Sequence, residues 1–453
     1  NAAHRGKGFP MAHPLDALYA LGLTTVSPWL AWRALTRGRD GYRRLVLGHP
    51  CPPRPPSDTS PLAWFHGVSL GEVNLLAPVI QAFRARHPGW RIGVTATTPA
   101  GVHEARKRFG NECLVACFCW DFTWQVNRII RAWTPSLIVL AESQLWPNWL
   151  RLARGRGIPV TVINGRMSPK SAAAWARRPR LARRIFPLVH SWMVQDDSMA
   201  GHLASLGVPP QAVAVTGSVK FDGAKGDRNL PLLDTLRQLF PVPAGAPVWV
   251  AGSTQEAEEP VILDAYTRLS AHFPDLRLIL VPRQPDAFEA SARRLRDRSI
   301  PFLRRSTGDV MPPAAPARVL LLDTIGELSA AWGLATVGFV GGSLDGKRGG
   351  QSPIEPAAFG VPVCFGPHVW NFRDITARLL ATGAAKTVPA GPDCSEKLAQ
   401  VIRDWLQHPP QAKAAGQAGR DFVALQQGAT DRTLQFLESR GLVSPHTPGR
   451  RAG

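Results

Sequence analysis

Short, unbroken apolar runs alternate with amphipathic helical stretches along most of this chain, and that alternation limits the fold more than any other feature. "LAWFHGVS", "WRIGVTATT", "SLIVLAES" and "IPVTVING" read as strands in the first half. "APVWVAGS", "LRLILVP", "RVLLLDT" and "VGFVGGS" do so in the second. Helical patterns such as "EVNLLAPVIQAFRAR" and "PVILDAYTRLSAHF" separate them. A strand with one wet face alternates apolar and polar residues, whereas continuous apolar strands are covered on both faces. Intervening helices supply the crossovers that parallel strands require. The connection "FDGAKGDRNLP" near residues 221–231 is rich in Gly, charge and Pro and divides the chain. The expectation is an α/β protein of two doubly wound domains facing a cleft, residues 46–225 and 226–425. Ligands of such sheets bind beyond the carboxyl ends of the strands, so chemistry is expected just after each strand.

What precedes the first strand is different. Residues 1–10 are polar and precede Met11. From Ala17 to Trp32 no residue is charged, and Arg33, Arg37, Arg39, Arg43 and Arg44 follow. The run is shorter than the roughly 20 apolar residues of a spanning helix, it contains Pro28, and no small-residue cleavage site follows it. Residues 11–45 are therefore expected to form a short anchor that lies in the interface or crosses with difficulty, with Trp29 and Trp32 at headgroup depth and the arginines on anionic lipid at the cytoplasmic side. The competing reading is an amphipathic helix packed on the protein's own core. The chain carries 53 Lys and Arg against 33 Asp and Glu, a net +20, which suits anionic lipid, phosphorylated substrates or nucleic acid. Arg177, Arg178, Arg180, Arg183 and Arg184 lack interleaved aromatics that would stack bases, which argues against nucleic acid. Cys113, Cys117 and Cys119 lack CxxC spacing and a nearby fourth ligand; they read as a buried strand, with no metal site.

Four segments repeat an S/T-x-x-E pattern: Ser69 to Glu72, Ser253 to Glu256, Thr324 to Glu327 and Ser352 to Glu355. Each fits a capping box at a helix start, and exposed amides there favour phosphate. No GxGxxG or GxxxxGK[ST] pattern occurs, against a dinucleotide oxidoreductase or a P-loop NTPase. Glu72, at the end of "HGVSLGE", could serve as a general base. Glu142 ends an apolar strand, where a charged residue does not fit a core. Lys220 could neutralise a leaving phosphate, and Arg283, directly after a strand, suits phosphate or carboxylate. "GGSLDGKRGGQSPIEP" holds five glycines and two basic residues before a helix start, which lets a ligand approach the backbone closely.

Taken together and in order, "WFHGVSLGEVNLLAPVI", "TATTPAG", "LAESQLWPNWL", "INGRMSPKS", "VTGSVKFD", "VWVAGSTQEAEE", "LILVPRQP", "LLLDTIGELS", "FVGGSL" and "GGQSPIEPAAFGVPVCFGPHVWNFRDI" resemble the Kdo transferases. That family moves 3-deoxy-D-manno-octulosonic acid (Kdo) from CMP-Kdo onto the lipid A precursor of bacterial lipopolysaccharide. The resemblance implies a GT-B fold of two Rossmann-like domains, a membrane anchor, inversion at the anomeric carbon, and no cofactor or metal. It further implies that Glu72 is the base and that Glu142 and Lys220 stabilise the transition state. Pro282, Arg283, Ile325, Gly326, Glu327, Ser352, Pro353, Ile354 and Glu355 are then expected to contact CMP. By the same resemblance the second domain holds the donor, the first holds the lipid, and the enzyme works at the inner membrane. Residues 426–453 are expected to cross back to the first domain.

The chain departs from the family at three places, with Gln144 for a Glu, Gln284 for a His and Ser352 for an Asn. Two other readings stand beside the leading one. One keeps the fold and changes the donor to a UDP-sugar; the other is a basic membrane-surface protein without activity.

Overall fold

The computed structural model describes residues 14–22 and 51–443, apart from 18, 55–56, 119, 168, 225 and 313–316. The chain forms two compact units, residues 1–222 with 427–453, and residues 223–426.

In the first unit seven strands form one sheet in the order β3-β2-β1-β4-β5-β6-β7. They are β1 (Leu62–Gly67), β2 (Arg91–Ala96), β3 (Leu114–Cys117), β4 (Leu137–Ala141), β5 (Val160–Gly165), β6 (Ser191–Val194) and β7 (Val213–Val215). Every pairing is parallel. Strand β1 shows why its sequence is continuously apolar. Leu62 and Trp64 enter one core while Ala63 and Phe65 enter the core on the opposite face. Trp64 lies 4.1 Å, centroid to centroid, from Trp149. On β2, a Cβ at Gly93 would lie 2.6 Å from Trp133, so glycine admits that ring against the sheet.

The helix Ala429–Ser439 belongs to this unit. Its Leu434 and Leu437 are fully buried in the core formed with Val73 and Leu76, which contributes roughly 1.5–3 kcal/mol for each leucine. The Asp222 carboxylate accepts the backbone N–H groups of Gly428 (2.7 Å) and Thr430 (2.6 Å) at the helix start. That cap satisfies donors the helix itself leaves open.

The second unit contains an eight-stranded sheet in the order β11-β10-β12-β9-β8-β13-β14-β15. Its strands are β8 (Val248–Thr254), β9 (Arg277–Pro282), β10 (Phe302–Arg304), β11 (Val310–Met311), β12 (Val319–Leu321), β13 (Val337–Val340), β14 (Val363–Phe365) and β15 (Ala385–Thr387). Only the edge pair β10–β11 is antiparallel. Packing repeats the logic of the first unit: Trp332 presses its ring onto Gly252 of β8 and Gly338 of β13.

Most of the expected anchor, including Pro28, Trp29, Trp32 and the five arginines after it, lies outside the described residues. Residues 14–17 and 19–22 are helical and contact the first unit. Asp16 accepts from the Thr123 N–H at 2.9 Å and from the Asn148 amide at 3.0 Å. The Tyr19 hydroxyl donates to Asp121 at 3.3 Å. Among the described residues no helix is long and apolar enough to cross a membrane.

Candidate active site

Strand order reverses between β1 and β4 in the first unit, and between β8 and β13 in the second. These are the places where open parallel sheets hold ligands. A buried glutamate stands at each.

In the first unit the helix Leu70–Arg86 starts two residues after β1 ends, and Ser69 is its N-cap. The Ser69 hydroxyl accepts the Glu72 N–H at 3.4 Å, and Glu72 Oε2 accepts the Val68 N–H at 2.7 Å. The serine half of the capping box is thus present, while the glutamate reaches one residue past the N-cap to Val68; Glu72 is only 8% exposed. Oε1 receives longer contacts, from the Gln144 amide at 3.3 Å and the Ser69 hydroxyl at 3.4 Å. Burial pushes the Glu72 carboxyl above the usual glutamate range; Glu142 adds to the rise, while Val68, Ser69 and Arg166 oppose it. A carboxylate so placed is a stronger base than a solvated one and keeps an oxygen with spare acceptor capacity.

Glu142 comes from the turn after β4 with φ at +57°, a strained conformation for this residue type. Two cations hold it, Arg166 at 3.2 Å and Lys220 at 3.4 Å. Lys220 lies on the short 3-10 turn Val219–Phe221, pinned where the Val219 N–H donates to Asn164 Oδ1 at 3.1 Å. Asn164 is itself buried at the end of β5 with φ at +54°. The fold therefore brings Glu72, Glu142 and Lys220 into one electrostatic group from positions up to about 150 residues apart in the sequence. Two further members had weaker signals in the sequence. Arg166 sits inside "INGRMSPKS" with nothing local to mark it. Gln144 stands out only as a departure from the family pattern, yet it touches the candidate base. His66, within β1 next to its end, is buried and held neutral, with burial pushing its pKa down to about 3.

The second unit treats its glutamate differently. Glu258 is fully buried and accepts four backbone N–H groups: Gln255 (2.9 Å) and Gly342 (2.7 Å) on one oxygen, Ser343 (2.8 Å) and Leu344 (3.0 Å) on the other. It ties the turn after β8 to the loop after β13. Burial raises its carboxyl pKa and the four amides pull against that rise. Its neighbour Glu259, also buried, receives Ser291 at 2.7 Å and Arg294 at 2.9 Å.

Of the four S/T-x-x-E segments, only Ser69 to Glu72 forms the serine cap on the third helical amide, and its glutamate bonds Val68 rather than Ser69. Ser253 lies within β8, and the helix that follows begins at Glu259. Glu256 therefore falls in the turn and pairs with Arg294 at 2.5 Å. The Thr324 hydroxyl donates to the Glu327 carboxylate at 2.6 Å rather than accepting an amide. Glu327 is clamped in bidentate fashion by Arg305, both contacts at 2.9 Å. Ser352 accepts the Ile354 N–H at 3.4 Å, and Glu355 makes no reciprocal bond in the helix Ile354–Ala358. Sequence spacing predicts a capping box only if the helix starts where the pattern assumes; strand extension moved the start.

The expected donor contacts follow three strands of one parallel set. Pro282 ends β9 and is buried, and Arg283 follows it exposed, its N–H donating to the Thr254 carbonyl at 3.0 Å. Ile325 is 78% exposed and Gly326 has φ at +93°, so this turn offers an apolar side chain and backbone to a ligand. Beyond β13, Pro353 and Ile354 are buried, leaving Ser352 and Glu355 as the accessible side chains there. Desolvation raises the Glu355 carboxyl and the nearby Arg283 charge lowers it. Among the described residues no group of His, Cys, Asp or Glu could hold a metal ion.

Comparison with known proteins adds independent evidence. The family model described as 3-deoxy-D-manno-octulosonic-acid transferase (Kdo transferase) matches residues 42–223. The 3-deoxy-D-manno-octulosonic acid transferase of Bordetella pertussis is 31% identical over 93% of this chain and 98% of its own. The Haemophilus influenzae transferase is 31% identical over 83% of this chain and 86% of its own. A crystal structure of UDP-N-acetylglucosamine 2-epimerase aligns with TM-score 0.57 at 12% identity, covering 87% of this chain and 99% of that one. A Neisseria meningitidis enzyme of that kind, bound to UDP-GlcNAc, aligns at 0.53 and 14%, covering 83% and 99%. At such identity these two show a shared fold alone.

Proposed function

This chain belongs to the Kdo transferase family, and on that footing we propose that it moves Kdo from CMP-Kdo to a lipid A precursor with inversion, using Glu72 as general base. The observation that carries the proposal is the Glu72 carboxyl, buried at the strand-order reversal of the first unit with its pKa raised and one oxygen underused. In the proposed reaction an acceptor hydroxyl attacks the anomeric carbon as the bond to CMP breaks, and Glu72 takes the hydroxyl proton. Charge develops on the sugar ring and on the leaving phosphate. Glu142 suits the first and Lys220 the second, and their pairing at 3.4 Å holds the two side chains in place before substrate arrives. Arg283, the Ile325–Glu327 turn and the Ser352–Glu355 segment are proposed to hold CMP. Membrane association at the cytoplasmic face, through the segment before β1 and the net charge of +20, belongs to the same proposal.

The test is transfer to a tetra-acylated lipid A precursor with CMP-Kdo generated in situ, wild type beside Glu72→Gln, and lipid products read by mass. Mass gain of one or more Kdo units in wild type, lost in the variant, supports both the reaction and the base. No transfer by folded wild type overturns the reaction. Competition by CMP in preference to UDP or UMP separates this donor from a UDP-sugar.

A further inference from the structure

A cavity of about 380 Å³ opens on the second unit, walled by the turns after β8 and β9 and the loop after β13. Its size falls within the range of small-molecule sites, roughly 300–1,000 Å³. None of the expected nucleotide contacts lines it, but Gln284, which does, directly follows Arg283. Its polar groups are unusual in kind. Lys347 and Arg348 line it, both exposed, and neither enters an ion pair among the described residues. Gln255 and Gln284 add two neutral side-chain amides.

Three carboxylates share the wall, and two of them already have protein partners. Glu256 pairs with Arg294 at 2.5 Å, and Asp345 accepts the Lys347 N–H at 3.0 Å. Asp286 and the second oxygen of Asp345 remain to accept from ligand hydroxyls. Four backbone amides of these turns are closed to an anion, because Glu258 already occupies those of Gln255, Gly342, Ser343 and Leu344. The positive side chains in the lining are those of Lys347 and Arg348.

The loop that carries them is fixed. Asn371 donates to the Arg348 carbonyl at 2.7 Å, the Asn371 N–H to the Gly349 carbonyl at 3.0 Å, and the Gly350 N–H to the Gly342 carbonyl at 2.7 Å. The Trp370 ring packs directly on Gly349, where any Cβ would collide with it. Two cations on a pinned loop, facing amides and carboxylate oxygens open to hydroxyls, match a polyhydroxylated sugar that carries its own carboxylate.

We propose that this cavity is the subsite for the sugar acid of the donor, with Lys347 and Arg348 binding its carboxylate and Gln255, Gln284 and Asp286 its hydroxyls. The proposal rests on the CMP-Kdo reading, since Kdo is an acid whose carboxylate lies beside the reacting carbon. Selectivity for an acidic sugar over a neutral one would then come from side chains of the β13 loop, separate from those that hold the nucleotide.

The experiment compares Lys347→Ala, Arg348→Ala and the double variant by donor KM and by the inhibition constant of CMP alone. Donor KM should rise roughly 10-fold in each single variant and roughly 50-fold or more in the double, as expected for lost charge-assisted hydrogen bonds. CMP inhibition should change less than about twofold, because CMP has no carboxylate to lose. A donor analogue with a carboxamide in place of the carboxylate should inhibit wild type and double variant alike. Equal weakening of CMP, or an unchanged donor KM in the double variant, overturns the proposal. Failure of wild type to transfer from CMP-Kdo at all is a different result, and it overturns the reaction on which the subsite depends.

Discussion

Two buried glutamates occupy equivalent places in the two sheets, and their partners set them apart. Glu258 meets four backbone amides and has nothing left to offer. Glu72 meets one backbone amide closely, while its second oxygen has only contacts of 3.3 and 3.4 Å. A saturated carboxylate rigidifies a loop; an undersatisfied one with raised proton affinity can do acid–base work. Burial alone would not distinguish them.

The sharpest way to break that contrast is to remove each charge at constant shape. Glu72→Gln should lower Kdo transfer by roughly 10³-fold or more, the scale of a lost general base. Its urea midpoint should stay close to that of wild type. A variant that unfolds, or one that keeps its activity, would make Glu72 a capping residue only. Glu258→Gln should do the opposite in kind. An amide group would point at backbone donors, leaving buried N–H groups unpaired at about 1–3 kcal/mol each. Urea unfolding should show a loss of about 3 kcal/mol or more on that scale, and an unchanged midpoint would deny Glu258 its structural role.

A pH profile sharpens the comparison further. The acid form of Glu72 is inactive as a base, so kcat/KM should rise with pH along a limb lying above the ordinary glutamate value of about 4.3. Arg166 pulls the Glu72 pKa down, so Arg166→Gln should move the limb to still higher pH. A limb that moves down, or not at all, counts against the electrostatic group. Stability follows by linkage. A carboxyl whose pKa is raised on folding gives its contribution fully below the unfolded value, and that contribution fades as pH rises through the folded value. Glu72→Gln should therefore flatten this part of the stability–pH curve. The smallest effect is expected at Gln144. Removing its 3.3 Å contact in Gln144→Ala should cost about 3–10-fold in kcat, the scale of one modest hydrogen bond. A larger loss would mean that the amide contacts substrate.

Much of the frame was legible because parallel strands write themselves plainly. Leu62–Gly67, Leu137–Ala141 and Val248–Thr254 are buried throughout since both sheet faces are covered, and they are apolar but for His66, Ser253 and Thr254. Short edge strands such as Val310–Met311 and Ala385–Thr387 are too brief to show a pattern. The site was legible where a charged residue interrupts such a run, as at Glu142. Arg166 and Asn164 were not, because their importance lies in what they meet across the sheet. The capping-box reading failed at Glu256 for a related reason: a local pattern cannot say whether the strand before it continues.

By itself the sequence determined the α/β alternation and the family, because these depend on the order of apolar runs and on long motifs. Only the tertiary structure decided which glutamate is spent and which is available. Acceptor saturation counts N–H groups delivered from distant turns, and residues 342–344 reach Glu258 only after β13 has paired with β8.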